Sequence, residues 1–186
     1  PPIAVFGTTR AAMSFWYHMY GSGMGELHID VHDGTNWQLD ALTPLVGASQ
    51  SANNDSWVRA VVDLDAYIGQ VIQVRFRGVT GPTAYSDMAI DDVGFWRDGD
   101  LDSDGLSTMD ELFIYNTNPN DAANTNLRGT GYQENFDNTG TLKHRGWVQP
   151  TSDDFDWEIR TGETPSADTG PTGDYPSGTG NYFYTE

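Results

Sequence analysis

The chain has 186 residues, 27 of them acidic and 9 basic, for a formal net charge of −18. That balance argues against nucleic acid and anionic membrane surfaces as partners, because both need clustered positive charge. With no cysteine, the chain has no disulfide framework, no thiolate metal site and no cysteine nucleophile. A surplus of acids reads either as a solvated surface suited to a salty habitat or as carboxylates gathered around metal ions. No apolar run is long enough to span a bilayer, so no membrane insertion is expected. The opening Pro1-Pro2, without a signal peptide, reads as a mature or excised piece.

Short alternating runs, punctuated by 21 Gly and 9 Pro, predict an all-β chain. Residues 11–20 form the first strong strand, with Phe15, Tyr17 and Met19 on one face and Trp16, His18 and Tyr20 on the other. In the next strand Leu27, Ile29 and Val31 face the core. Glu26, His28, Asp30 and His32 face outward, and a solvated face explains them better than a zinc site. Asp33-Gly34 marks a hairpin, with Trp37 and Leu39 in the returning strand, and residues 41–56 read as loop. Val58, Ala60, Val62 and Leu64 point inward in a further strand. Residues 71–79 follow with Ile72, Val74 and Phe76 inward, and residues 88–96 make the next. A short helix is predicted over 108–115, and residues 116–130 read as linker. The β pattern resumes at Tyr132, with Trp147, Phe155, Trp157 and Ile159. These aromatics suit a core better than a sugar-stacking platform. Residues 161–180 form a long loop, and Asn181-Tyr182-Phe183-Tyr184 begins a last strand.

One motif carries chemistry. Asp100-Leu101-Asp102-Ser103-Asp104-Gly105-Leu106-Ser107-Thr108-Met109-Asp110-Glu111 matches the EF-hand-like loop D-x-D-x-D-G-x5-E. Calcium takes hard oxygen ligands, and this spacing supplies them from the Asp100, Asp102 and Asp104 carboxylates, the Leu106 carbonyl, Thr108 (directly or through water) and Glu111. A solvated acidic linker is the bland alternative, but five acids in one short run would repel one another without a cation. Neither a nucleophile elbow with a Ser-His-Asp order nor a phosphate-binding glycine loop occurs. Nothing points to a glycosidase carboxylate pair.

The run 98–121, including Asn118-Pro119-Asn120-Asp121, resembles a bacterial thrombospondin type 3 repeat, which implies a rigid calcium-stapled spacer. The rest of the chain resembles a MAM domain of bacterial type, read in permuted order. The second part of the domain comes first, on Ser14-Phe15-Trp16-Tyr17-His18-Met19-Tyr20-Gly21, Val74-Arg75-Phe76-Arg77-Gly78 and Asp87-Met88-Ala89-Ile90-Asp91-Asp92-Val93. The first part comes last, on Asn135-Phe136-Asp137, Gly146-Trp147-Val148-Gln149, Ser152-Asp153-Asp154-Phe155-Asp156-Trp157, Thr169-Gly170-Pro171 and Gly178-Thr179-Gly180-Asn181-Tyr182. Three units follow: 1–96 as the C-terminal portion of a MAM-like sandwich, 97–131 as calcium loop, short helix and linker, and 132–186 as the N-terminal portion. The resemblance implies a jelly-roll-like antiparallel β-sandwich, an adhesive role without catalysis, and a second cation held by Asp137 with Asp91 or Asp92, and Asp156 as a further candidate. Animal members carry disulfides, so a cysteine-free chain using Ca2+ instead suits a prokaryotic extracellular or cell-surface protein.

A sheet cut between the two pieces leaves unpaired edges that a partner must complete. Exchange between neighbouring chains would give a fibre-forming homo-oligomer or polymer. Closure within one chain would give a binding module for a glycan or protein ligand, appended to a larger secreted protein. An arbitrary fragment, or one period of a tandem array, would show the same local pattern.

Overall fold

The structure is a computed structural model and describes residues 2–83, 85–99, 107–112, 132–137, 147–149, 156–166 and 168–185. Two antiparallel sheets face each other, as the all-β jelly-roll-like reading requires. The first sheet contains β1 (Pro2–Ala4), β3 (Glu26–His32), β4 (Trp37–Gln38), β5 (Leu45–Val46) and β7 (Val71–Val79), in the order β1-β7-β3-β4, with β5 also paired to β3. The second contains β2 (Ala11–Gly21), β6 (Val58–Asp63), β8 (Ser86–Arg97), β9 (Tyr132–Glu134), β10 (Glu158–Arg160) and β11 (Tyr182–Thr185). Its order is β10-β11-β8-β2-β6, with β9 also paired to β8. A helical turn, α1 (Thr108–Asp110), starts where the helix was expected; positions 113–115 lie outside the described residues.

Alternation explains most of the core. Met13, Phe15 and Met19 from β2 meet Leu27, Ile29 and Val31 from β3, all fully buried. Each such side chain contributes about 1.5–3 kcal/mol of apolar burial. The structure differs from the sequence reading at three places. Leu39 lies beyond β4 and is 60 % exposed, because Asp40 adopts a left-handed φ of 57° and ends the strand. Val58 begins an edge strand and is 38 % exposed. Within the expected loop 41–56, Leu45–Val46 pairs with Glu26 and Leu27 of β3.

β8 carries the feature that regular alternation misses. Ser14 pairs with Gly94 but Trp16 pairs with Asp91, so Asp92 and Val93 together oppose Phe15. This is a β-bulge, and Asp92 takes a left-handed φ of 52° to make it. The extra residue resets the side-chain parity. Met88, Ile90, Val93 and Phe95 all reach the core, while Asp91 turns to the outer face beside Trp16.

The segment from Tyr132 onward completes the second sheet within the chain. β11 pairs with Met88, Ala89 and Ile90 of β8, and β9 pairs with Val93, Gly94 and Phe95 on the same side. Phe136 is fully buried and stacks on Phe183 at 4.0 Å between ring centroids, with Trp147 set edge-on to both. Trp147, Trp157 and Ile159 pack against the core rather than forming an exposed platform; Phe155 lies outside the described residues.

The outer faces of the two sheets differ. The second is covered: Tyr175 stacks on Trp16 at 3.9 Å, the Trp57 indole N–H donates to the Gly173 carbonyl at 3.3 Å, and Thr169 donates to Asp87 at 2.6 Å. His18 is fully buried beneath this cover, with Trp57 edge-on at 5.7 Å. Neither ring nitrogen has a hydrogen-bond partner among the described residues. Burial therefore pushes the imidazole pKa from 6.5 down to about 4, against the nearby Asp55 charge and backbone. The unfolded chain takes up this proton near pH 6.5 and the native state resists it. We expect stability to fall by up to about 3 kcal/mol as the pH drops from about 6.5 to about 4. Urea midpoints across that range should show a weaker pH slope in His18→Gln; an unchanged slope would contradict this account.

Candidate functional site

Two acidic regions and one mixed-charge face carry the chemistry. The first follows β8. Asp98 accepts hydrogen bonds from the Thr8 and Thr9 hydroxyls and from the Thr9 N–H, tying the start of the loop to the segment before β2. The Thr108 N–H donates to the Gly99 carbonyl at 2.7 Å and closes the neck of the loop. Met109 and Leu112 then anchor the turn against Ala12 and Trp96 on the outer face of the second sheet. Asp100, Asp102, Asp104 and Leu106 lie outside the described residues. Thr108 and Glu111 are described, and both are fully buried. The Thr108 hydroxyl has no hydrogen-bond partner among the described residues. Arg59 reaches over from β6 and donates to the Glu111 carbonyl at 3.5 Å.

The second region lies where the bulge of β8 meets the loop before β11. Asp91 accepts from the N–H groups of Asp92 at 2.7 Å and Tyr175 at 2.9 Å. Burial raises its pKa to about 9, and the neighbouring charges of Asp92 and Asp174 add to the shift. Asp174 in turn accepts from the Gly180 N–H at 2.7 Å, and Asp137 accepts from the Asn181 N–H at 2.9 Å. Asp137 and Asp174 close on Gly180 from the same side. A Cβ there would lie 1.7 Å from Asp137 Oδ1 and 2.7 Å from Asp174 Oδ2. Asp156 is exposed just ahead of β10, outside these hydrogen bonds. Asp174 was not among the residues singled out from the sequence; its only signal was an isolated acid in a Gly/Pro/Ser/Thr loop. Among the described residues no three His, Asp or Glu side chains are arranged to hold a metal ion.

No described segment covers the outward side of the first sheet, yet it is not the simple solvated face that alternation suggests. Asp30 is fully buried there. One of its oxygens accepts from Arg75 Nη2 at 2.6 Å, Arg75 Nε at 3.0 Å and Arg77 Nε at 3.0 Å. These bonds hold the Asp30 carboxyl below the usual range despite its burial. Arg77 also pairs with Asp40 at 3.3 Å. His28 sits between Asp40 at 2.7 Å and Glu26 at 3.1 Å. Trp37 lies across the top, with the Arg75 guanidinium carbon 4.2 Å from its ring centroid. Glu26, His28, Asp30 and His32 are thus spent on neighbours instead of converging on zinc. No described helix is long and apolar enough to cross a membrane.

Comparison with known proteins places these features in context. The model of the MAM domain, meprin/A5/mu, matches residues 5–99. The chain is 25 % identical over 129 residues to thyroid hormone-induced protein B of Xenopus laevis, covering 69 % of the chain and 15 % of that protein. It is 30 % identical over 92 residues to neuropilin-1 of Rattus norvegicus, covering 50 % of the chain and 10 % of that protein. It is 31 % identical over 109 residues to MAM domain-containing glycosylphosphatidylinositol anchor protein 2 of Homo sapiens, covering 58 % of the chain and 11 % of that protein. The chain therefore spans only a small part of the curated relatives it matches.

Gly180 offers a direct check on this geometry. Alanine there would push Asp137 and Asp174 apart, and we expect Gly180→Ala to lower stability by about 1–3 kcal/mol in thermal or urea denaturation. A neutral effect would mean the two loops do not meet as described.

Proposed function

The chain belongs to the MAM domain family, and on that premise we propose that it is a calcium-braced, non-catalytic adhesion module of an extracellular or cell-surface protein. The observation that carries this reading is the completion of the second sheet. The family match ends at residue 99, yet β9, β10 and β11 from beyond it extend the sheet alongside β8. The span 97–131 separates the two pieces, and a tie at that point would fix their geometry. Asp100, Asp102, Asp104, Leu106, Thr108 and Glu111 would hold Ca2+, which supplies the positive charge that a cluster of carboxylates needs. The closed neck at Gly99 and Thr108, the anchored turn and the buried Thr108 hydroxyl support this assignment. A second cation would use Asp91, Asp92 and Asp137, joined by Asp174 rather than Asp156. No three of these acids converge on one point, so the ion would have to draw them together. The name of one relative, which states a glycosylphosphatidylinositol anchor, supports placement at a cell surface. The lack of cysteine supports a prokaryotic source that braces the fold with calcium.

A second reading rests on the same sheet. The contacts of 132–185 with the rest of the chain are strand pairings and packing that the same segment of a neighbouring copy satisfies equally. Head-to-tail exchange through the span 97–131 would then build a homo-oligomer or filament.

One experiment addresses both readings. Calcium should raise the melting temperature by several degrees over a chelated control, as any ion that binds only the native state must. Beads coated with the chain should adhere, to one another or to an extracellular glycan or protein surface, in calcium and not in chelator. Monodisperse monomers by light scattering would support closure within the chain; filaments that vanish on chelation would support exchange. Melting indifferent to calcium would sink the calcium assignment, and inert beads would sink the adhesive role.

A further inference from the structure

Three features of the open face of the first sheet bear on what it could hold. First, it is charge-matched at its centre, where the Arg75 and Arg77 guanidiniums are balanced by Asp30 and Asp40. Second, its polar groups are fixed before any partner arrives. Asp30, at 0 % side-chain exposure, holds both arginines in place, while each arginine side chain stays about one-third exposed, at 32 % and 33 %. Third, it presents a flat aromatic. Trp37 is 38 % exposed although one ring face lies over Arg75 at 4.2 Å and His32 meets it at a steep angle at 5.2 Å. Its orientation is held from below by the cation–π contact.

We propose that this face binds a neutral glycan chain, with Trp37 as the stacking platform and Arg77 and Asp40 supplying hydrogen bonds to sugar hydroxyls. The inference rests on the reading of the chain as an extracellular recognition module and gives that reading a surface. Sugar rings offer apolar C–H faces to an aromatic plane and hydroxyls at the rim, which call for donors and acceptors in fixed positions. Guanidinium donors and carboxylate acceptors lie side by side here. Preorganisation matters because a ligand this polar gains little unless the site has already lost its side-chain freedom. Charge selects the class. A chain of net charge −18 repels polyuronates and sulfated glycans, and arginines already matched by Asp30 and Asp40 have no surplus charge to draw them in. An open sheet face, unlike a deep pocket, suits an extended polysaccharide. Val46 and Val79, exposed at 67 % and 41 %, lie on the same side of the sheet at its opposite end from Trp37.

The test is affinity electrophoresis and tryptophan-fluorescence titration of the intact chain in calcium. The probes are linear hexaoses of glucose, mannose, galactose and N-acetylglucosamine, together with a hexauronate. We expect at least one neutral hexaose to bind, and Trp37→Ala to weaken it about tenfold. Trp37→Phe should recover part of that loss. Val148→Ala, at an exposed position off this face, should bind as the parent does. Near-ultraviolet circular dichroism and melting would confirm that each variant is folded. No binding by any neutral hexaose, equal binding by Trp37→Ala, or binding confined to the hexauronate would overturn the proposal. Coated beads that still adhere would then leave the adhesive role standing, so the two failures are distinguishable.

Discussion

β8 has two long sides, and the backbone groups along each must be paired. β2 takes one side over almost its whole length. The other side faces the sandwich edge, and an unpaired edge of that length in a buried sheet would strand several N–H and C=O groups without partners. Two short strands from the far end of the chain take it up: β11 along Met88 to Ile90 and β9 along Val93 to Phe95. The gap between them falls at Asp91 and Asp92, where the bulge interrupts the ladder. The aromatic stack of Phe136, Trp147 and Phe183 lies behind this junction and closes the core.

The bulge and the cover over the second sheet act together. Asp91 faces outward where the bulge begins, and its carboxylate accepts from the Tyr175 N–H of the loop before β11. That contact holds the loop over Trp16, and the same loop reaches Asp87 through the Thr169 hydroxyl. The acidic meeting of Asp91, Asp92, Asp137 and Asp174 is therefore a consequence of how the late segment seats on the early one. Both acidic regions, and the turn anchored by Met109 and Leu112, lie along this covered side. The other sheet keeps its outer face open, with polar groups satisfied among themselves around Asp30. Among the described residues, the contacts between the early and late segments thus gather on the second sheet and its edge.

The parts of the fold legible in the sequence are those governed by one local rule. β7 spans residues 71–79 as its alternation predicted, with Ile72, Val74 and Phe76 buried, because a strand with one face on a core obeys period two. β3 obeys it on its inner face for the same reason. Its outer face misled, because polarity reports only that a residue can meet water. Asp30 meets two guanidiniums supplied from β7, and nothing local to β3 announces them. The bulge at Asp92 was equally hidden: Asp91-Asp92 within a regular alternation gives no sign of an extra residue. Asp174 joined Asp137 only through a fold that brings two loops together across Gly180. The loop proposed to hold calcium rests on the opposite kind of signal, a spacing within one short run of the sequence. Thr108 and Glu111, its described members, are both buried.

The central claim is that the late segment seats on β8, and the absence of cysteine allows a clean test. Met88 and Thr185 are direct partners across the β8–β11 pairing. A chain carrying Met88→Cys and Thr185→Cys should form a disulfide under mild oxidation in native buffer. We expect a cross-linked monomer by non-reducing electrophoresis at low concentration, lost when the chain is unfolded before oxidation. Cross-linked ladders in place of the monomer would keep the pairing but move it between chains. No cross-link in the folded protein would contradict the seating of β11 on β8, and the account with it.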